Sequence, residues 1–442
     1  MNKKITLFGL TWPILIENIL FMLLGIIDVY ALSTYDDVAS ASVNTANQII
    51  SICNILFSVT SNASAVIISQ NLGAGNRQKA SKTAAIAISF NFALGIIVSF
   101  VLAVFSRQLM SALGATGKIL EFGSEYLMIV GGFMFSQALL SSMMVIFRNH
   151  GYTKISMYVT AIMNIINTIL DLTFVMGWFG MPVLGIFGVA MATTFSRIVG
   201  LIIIAVLFFK KVEKFSIFKL LKPLPFKDFG AMMKIGIPSA FESLNYNVSQ
   251  LVVTAVALAF LTENEYIAKS YLQNIASLFY IFSLSIGQAS QIMTSHLVGN
   301  KDFDGAYKSG WKAMGIGFSV SVLMSLIGIL FRYQIIGIFT NNSEVILIGG
   351  TVICVNLFLE MGRSSNLIII NSLRGAGDVY FPTVVAIFSM WIISTLGSYI
   401  LAVSCGLGLI GMWIAFAADE CFRGILMLFR WHGKKWTKKA VV

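Results

Sequence analysis

Asp28 and Asp171 each sit well inside a long apolar run, where an ionisable side chain is costly and marks a candidate functional site. Asp28 falls about eighteen residues into the first run and Asp171 about fifteen into the fifth. At roughly 1.5 Å per helical residue both lie about 6–10 Å below the same end of their helices. Asn164 and Asn167 precede Asp171, and Asn167 is one helical turn away on the same face. Thr193, Thr194 and Ser196 approach the same depth on the sixth run, which comes back the other way. Two carboxylates beside amide and hydroxyl oxygens can take up a proton, since low dielectric and a neighbouring like charge both favour the neutral acid. The same oxygens suit a hard cation, so Asp28, Asn167 and Asp171 are also a candidate Na⁺ site. The competing expectation is structural: each acid held by a fixed hydrogen bond or by Arg197.

The second half of the chain has no acid at the matching places, which fall near Thr254 and Gly397. It carries instead Glu360 and Arg363, three residues apart and able to form an ion pair. Glu17 and Glu242 each follow a proline, Pro13 or Pro238, by one turn. They are candidates for capping neighbouring helices or lining an inner gate. Asp419, Glu420 and Arg423 are expected to form a charge cluster on the cytoplasmic side. No nucleophile-base set is visible, because His150, His296 and His432 fall near loops or termini, so an enzyme is not expected. Cys53, Cys354, Cys405 and Cys421 have no metal-like spacing and read as packing residues. Gly73-Ala74-Gly75 and Gly375-Ala376-Gly377 complete no nucleotide motif, which excludes ATP as the energy source. No cofactor is expected.

Helices crossing a bilayer must position these residues. Of 442 residues, 57% are hydrophobic and 11% charged, where a soluble protein has roughly a quarter charged. The fold class is therefore an all-α polytopic membrane protein. Apolar runs between polar breaks give twelve spans, near 10–32, 42–70, 83–106, 122–148, 156–178, 184–209, 229–261, 266–298, 309–332, 343–373, 380–403 and 406–430. The opening segment begins with Lys3 and Lys4 like a signal peptide. Pro13, Glu17 and Asp28 interrupt it and no small-residue cleavage site follows, so it reads as a retained first span.

The net charge of +11 would suit nucleic acid in a soluble protein, but here it sorts by side. Lys3, Lys4, Arg77, Lys79, Lys82, Arg148, Lys154 and the basic residues of 210–234, 301–312 and 423–439 all fall at one end of the spans. The positive-inside rule then puts both termini in the cytoplasm, with the plasma membrane as location.

An internal repeat at an offset of about 225 runs through most of the chain. Trp12-Pro13-Ile14-Leu15-Ile16-Glu17 matches Ile237-Pro238-Ser239-Ala240-Phe241-Glu242, and Leu72-Gly73 matches Val298-Gly299. Arg148-Asn149-His150-Gly151 matches Arg374-Gly375-Ala376-Gly377, and Leu184 to Gly188 matches Leu407 to Gly411. The boundaries expected are a six-helix lobe over 1–209, a basic cytoplasmic linker over 210–228 and a second six-helix lobe with a basic tail over 229–442. An even number of spans per repeat relates the two bundles by a pseudo-two-fold axis along the membrane normal. Such a design suggests alternating access at a cavity between lobes.

In this order the motifs resemble those of the multidrug and toxic compound extrusion (MATE) transporters, and the resemblance covers essentially the whole chain. It rests on the proline-containing starts of spans 1 and 7, Ile27-Asp28, Leu72-Gly73-Ala74-Gly75-Asn76, Asn167 to Asp171, Gly185 to Gly188, and Leu373-Arg374-Gly375-Ala376-Gly377-Asp378. It implies two six-helix bundles that export cationic or amphipathic drugs in exchange for H⁺ or Na⁺. Asp28, Asn167 and Asp171 fall where the DinF-like branch carries its cation-linked cluster. The sequence departs from the pattern at Val29, where Thr is usual, and at Gly151-Tyr152, where the second repeat keeps Gly377-Asp378. The helix 10 acid of another branch has no clear match. Expected partners are the lipid bilayer and small cationic or amphipathic molecules, with no nucleic acid, for a chain acting as a monomer. The alternative is a flippase for a lipid-linked or anionic substrate, motivated by Arg197 and Arg363 within the spans.

Overall fold

A computed structural model describes residues 6–213, 215–223 and 225–441; Lys3, Lys4 and Lys214 lie outside them. Twelve membrane helices follow one another: α1 Leu7–Tyr35, α2 Asp37–Gly73, α3 Arg77–Ala112, α4 Gly117–Gly132 with Met134–Asn149, α5 Thr153–Met176 and α6 Gly185–Lys211, then α7 Phe226–Phe260, α8 Glu263–Gly299, α9 Phe303–Leu330, α10 Ser343–Gly375, α11 Tyr380–Ser404 and α12 Gly408–His432. Ten are long and apolar enough to span a bilayer singly, and the two halves of α4 make an eleventh span. α12 is set apart from these by charge, because Asp419, Glu420 and Arg423 occupy its middle.

Local chemistry sets the helix ends. Thr262 and Glu265 form a reciprocal capping box that starts α8, with Thr262 Oγ1 accepting from Glu265 N at 3.3 Å and Glu265 Oε2 from Thr262 N at 3.0 Å. Asn76 caps α3 and Asp302 caps α9, so the same device recurs at matching places in the two repeats. Gly177, at φ +70°, closes α5 in the left-handed conformation that glycine adopts without steric cost.

Two helices depart from the regular spans that apolarity predicts. The expected span 122–148 is broken at Phe133 by a 50° bend, just after Gly131 and Gly132. The break frees backbone groups that side chains then satisfy: Ser99 Oγ accepts from Phe135 N at 2.9 Å, and Ser136 Oγ donates to Phe133 O at 2.7 Å. α11 widens into π turns over Met390–Leu396 and Ile400–Ser404, where Thr395 Oγ1 donates to Met390 O at 2.9 Å.

By contact the chain forms two units. One holds Ile16–Leu72 and Asn76–Ala240; the other holds the described residues up to Leu15, Gly73–Gly75 and the chain from Phe241. α1 and α7 therefore each change unit partway along, in both cases between the second and third residue after their proline. In the first unit α3 packs on α4, and α5 on α6, around Leu127, Val130, Met134, Val189 and Ala190. In the second unit α10 is central, packed by α8, α9 and α12. Lipid supplies no hydrophobic drive between helices, so close approach depends on small residues. A Cβ on Gly362 of α10 would lie 2.5 Å from Cys421 N, and one on Gly424 of α12 would lie 3.1 Å from Gly362 O.

Candidate cation site

In the first unit α1 and α5 bring the two aspartates together through Asn167. With its nitrogen turned toward the acids, the Asn167 amide donates to Asp28 Oδ1 and to Asp171 Oδ2, both at 3.0 Å. The opposite orientation sets the amide oxygen against both carboxyl groups, which requires a proton or a cation between them. Asn167 and Asp171 are fully buried. Asn164, one turn earlier, donates to Leu20 O at 2.5 Å and so ties α5 to α1 beside the pair.

Polar atoms without a protein partner occur on α5 and on its neighbour α6. Asp171 Oδ1, Asn164 Oδ1 and Thr194 Oγ1 are buried and have no hydrogen-bond partner among the described residues, while the Thr193 hydroxyl is directed to Tyr126. Ser196 donates back to Thr193 O at 3.0 Å and is spent on its own helix. Arg197 acts electrostatically on Asp28 but forms no ion pair with either acid among the described residues. Tyr126 of α4, 2% exposed, lies within electrostatic reach of Asp28, Asp171 and Arg197. Sequence reasoning missed it, since an isolated tyrosine in an apolar run has no partner at helical spacing. The donor set of two carboxylates and one amide that can rotate fits either a proton or a small hard cation.

The other candidate charges form separate structures. Glu17 is fully buried and accepts from Arg148 Nη2 at 3.0 Å. Glu242 accepts from Arg374 Nη2 at 2.7 Å and from Thr383 Oγ1 at 3.1 Å. Glu360 and Arg363 are paired at 2.5 Å. Asp419, Glu420 and Arg423 do not make the cytoplasmic-side cluster expected of them. They sit mid-helix, with Arg423 Nη2 2.6 Å from Asp419 and 3.0 Å from Glu420, and Arg423 is 5% exposed. Arg363 Nε, 3.9 Å from Glu420, joins this set to the Glu360 pair, while Asn366 donates to Glu420 at 2.9 Å and Ser389 donates to Asp419. The result is a buried network of three acids and two arginines linking α10, α11 and α12.

The family model described as MatE matches twice, over residues 13–173 and 238–400. The chain belongs to the MATE family. Each match lies within one copy of the internal repeat, beginning at Pro13 and at Pro238. A MATE protein is a transporter, not an enzyme, and this one is a multi-pass membrane protein. An uncharacterized transporter of Bacillus subtilis, YisQ, is 38% identical over 100% of this chain and 96% of its own length. A probable multidrug resistance protein NorM of Thermotoga maritima is 28% identical over 99% of this chain and 94% of its own. Among solved structures, a MATE in its bent conformation superposes with a TM-score of 0.87 at 18% identity, covering 98% of this chain and 96% of that one. An outward-facing MATE transporter gives 0.85 at 19% identity, covering 97% and 96%. The architecture is accordingly the MATE fold of twelve helices in two six-helix bundles.

Proposed function

We propose that this MATE protein exports organic cations or amphipathic drugs by antiport against H⁺ or Na⁺, with Asp28, Asn167 and Asp171 as the coupling site. The observation that carries the reading is the Asp28–Asn167–Asp171 bridge within the span, Asn167 and Asp171 fully buried and Asp171 Oδ1 left without a partner among the described residues. Two acids joined by one neutral amide hold more negative charge than a low-dielectric interior tolerates, so the site gains from taking up a positive charge. A proton or Na⁺ entering from one side and a cationic drug from the other would satisfy the same acids in turn. Competition of that kind is what antiport needs. The amide of Asn167 is suited to both states, donating through nitrogen to bare carboxylates or offering its oxygen to a bound cation. Names given to relatives, such as probable multidrug resistance protein, support the substrate class. The basic residues gathered at one end of the spans support a plasma-membrane orientation with both termini cytoplasmic.

Efflux of a fluorescent organic cation from proteoliposomes, under H⁺ and Na⁺ gradients imposed separately, tests the proposal. One of the two gradients should drive export. If neither moves any cationic dye, the reading fails.

A further inference from the structure

The second unit contains a buried amine that the coupling site does not use. Lys269, six residues into α8 and so roughly 9 Å from its start, is 2% exposed. Its Nζ donates to Thr254 Oγ1 and Gln273 Oε1, each at the long distance of 3.5 Å, and lies 6.0 Å from the centre of the Tyr266 ring. All of these partners are neutral. Lys269 is in no ion pair among the described residues. The nearest acid on its own helix, Glu265, is committed to the capping box and to Leu409 N at 2.9 Å.

An ammonium has three donors to satisfy, and leaving it buried without a counter-charge is strongly unfavourable. A lysine at a helix end ordinarily avoids this by extending its head to water, but the burial of Lys269 rules that out. Its surroundings nevertheless reach water. Ser270, Gln273, Asn274 and Ser277 are exposed along α8 at helical spacing, and a polar stripe in a membrane helix faces an aqueous cavity, not lipid. α2 carries the matching exposed stripe of Asn44, Gln48 and Ser51 in the first unit. The repeat offset of about 225 sets Gln273 against Gln48, Lys269 against Asn44, and Thr254 near Asp28. Where the first unit gathers acids, the second has an isolated base.

We propose that Lys269, with Thr254 and Gln273, binds a monovalent anion. The Thr254 hydroxyl can turn its proton outward, and the Gln273 amide can rotate to present Nε2, so all three groups become donors. One positive charge and two neutral donors match a single negative charge and exclude a metal ion. A free halide and a carboxylate borne by a substrate offer the ammonium the same charge.

The test is the thermal midpoint of the purified full-length protein in detergent, at constant Na⁺, as sodium sulfate is replaced by sodium chloride or by sodium benzoate. Methyl benzoate serves as the neutral control. A saturable rise with chloride alone assigns a free halide, and one with benzoate but not its ester assigns a carboxylate. Lys269→Met should lose the rise, Lys269→Arg should keep it, and Thr254→Val or Gln273→Leu should raise the half-saturating concentration about tenfold, the loss of one charge-assisted hydrogen bond. The two neutral variants also serve if Lys269→Met fails to fold. A wild-type midpoint indifferent to both anions, or an unchanged rise in Lys269→Met, overturns the proposal. The readout is binding, so failure of the transport reading leaves it standing.

Discussion

Arg374, at the end of α10, reaches Glu242 one turn beyond Pro238 in α7, and the two groups meet at 2.7 Å. Arg148 and Glu17 repeat the arrangement in the other unit at 3.0 Å. Each pair fastens the helix that carries the proline to the end of the helix three spans later. Glu17→Gln should lower stability by about 1–3 kcal/mol, because Arg148 keeps its charge in a partly buried place without its partner. Glu17→Gln with Arg148→Met should recover much of that loss, a coupling of about 0.5–3 kcal/mol in a double-mutant cycle followed by thermal unfolding. Strict additivity of the two changes would show that the pair does not act as one.

At the aspartate pair, Asn keeps the volume of Asp and removes the charge. Asp28→Asn and Asp171→Asn should each abolish gradient-driven export while leaving expression near normal. Asn167→Ala should weaken export less, since its amide orients the acids and carries no charge itself. Drug and cation must lower each other's affinity by the same factor if they compete for one site. Binding of a fluorescent cation should fall as pH drops or as Na⁺ rises, and the Asp→Asn variants should lose that dependence. Wild-type export by both variants would assign the acids a structural role.

Glycines that admit no side chain offer a prediction about packing. A Cβ on Gly236 of α7 would lie 2.2 Å from Val59 O of α2, backbone against side chain, whereas one on Gly315 of α9 would meet nothing within 4 Å. Gly236→Ala should destabilise by about 1–3 kcal/mol through overpacking. Gly315→Ala should be neutral or stabilising by about 0.5–1 kcal/mol through its gain in helix propensity. Equal thermal midpoints for the two variants would contradict the close approach.

The unit-two network makes a fourth prediction. Arg423→Met removes the cation that faces both Asp419 and Glu420, and should cost about 3–5 kcal/mol, the range for a buried charge left unpaired. Adding Asp419→Asn and Glu420→Gln should restore much of it. An Arg423→Met protein as stable as wild type would mean that water reaches these acids.

Orientation is tested separately. Reporter fusions after Lys222 and after Lys439 should report the cytoplasm, and fusions near Asp36 the outside. Opposite locations for the two halves would overturn the parallel repeat.

The number and order of helices were legible because lipid leaves one signal, apolar length, nearly undiluted. The repeat was legible because Pro-x-x-x-Glu and the Arg-containing loop recur in register. The same register held the partners of Glu17 and Glu242, since Arg148 and Arg374 follow them by 131 and 132 residues, yet only the fold brings those distances to contact. Asp28 and Asp171 were found by depth, which periodicity can supply. The bend at Phe133 and the π turns of α11 could not be, because each depends on hydrogen bonds from distant side chains such as Ser99. Tyr126 and the solitary state of Lys269 were equally hidden, being facts about neighbours.

The exchange of helix ends at Pro13 and Pro238 has a consequence for synthesis. Leu10 and Ile14 pack against Ala289 and Ile292, segments separated by most of the translated chain. As the ribosome proceeds, the opening turns of α1 emerge long before the surface they will occupy. Ile16–Ala240 can assemble meanwhile, but those first turns must wait, held in the membrane without their final neighbours, until α8 is inserted. A cut in the basic linker would therefore not yield two self-sufficient halves, since each product would carry the helix start that completes the other.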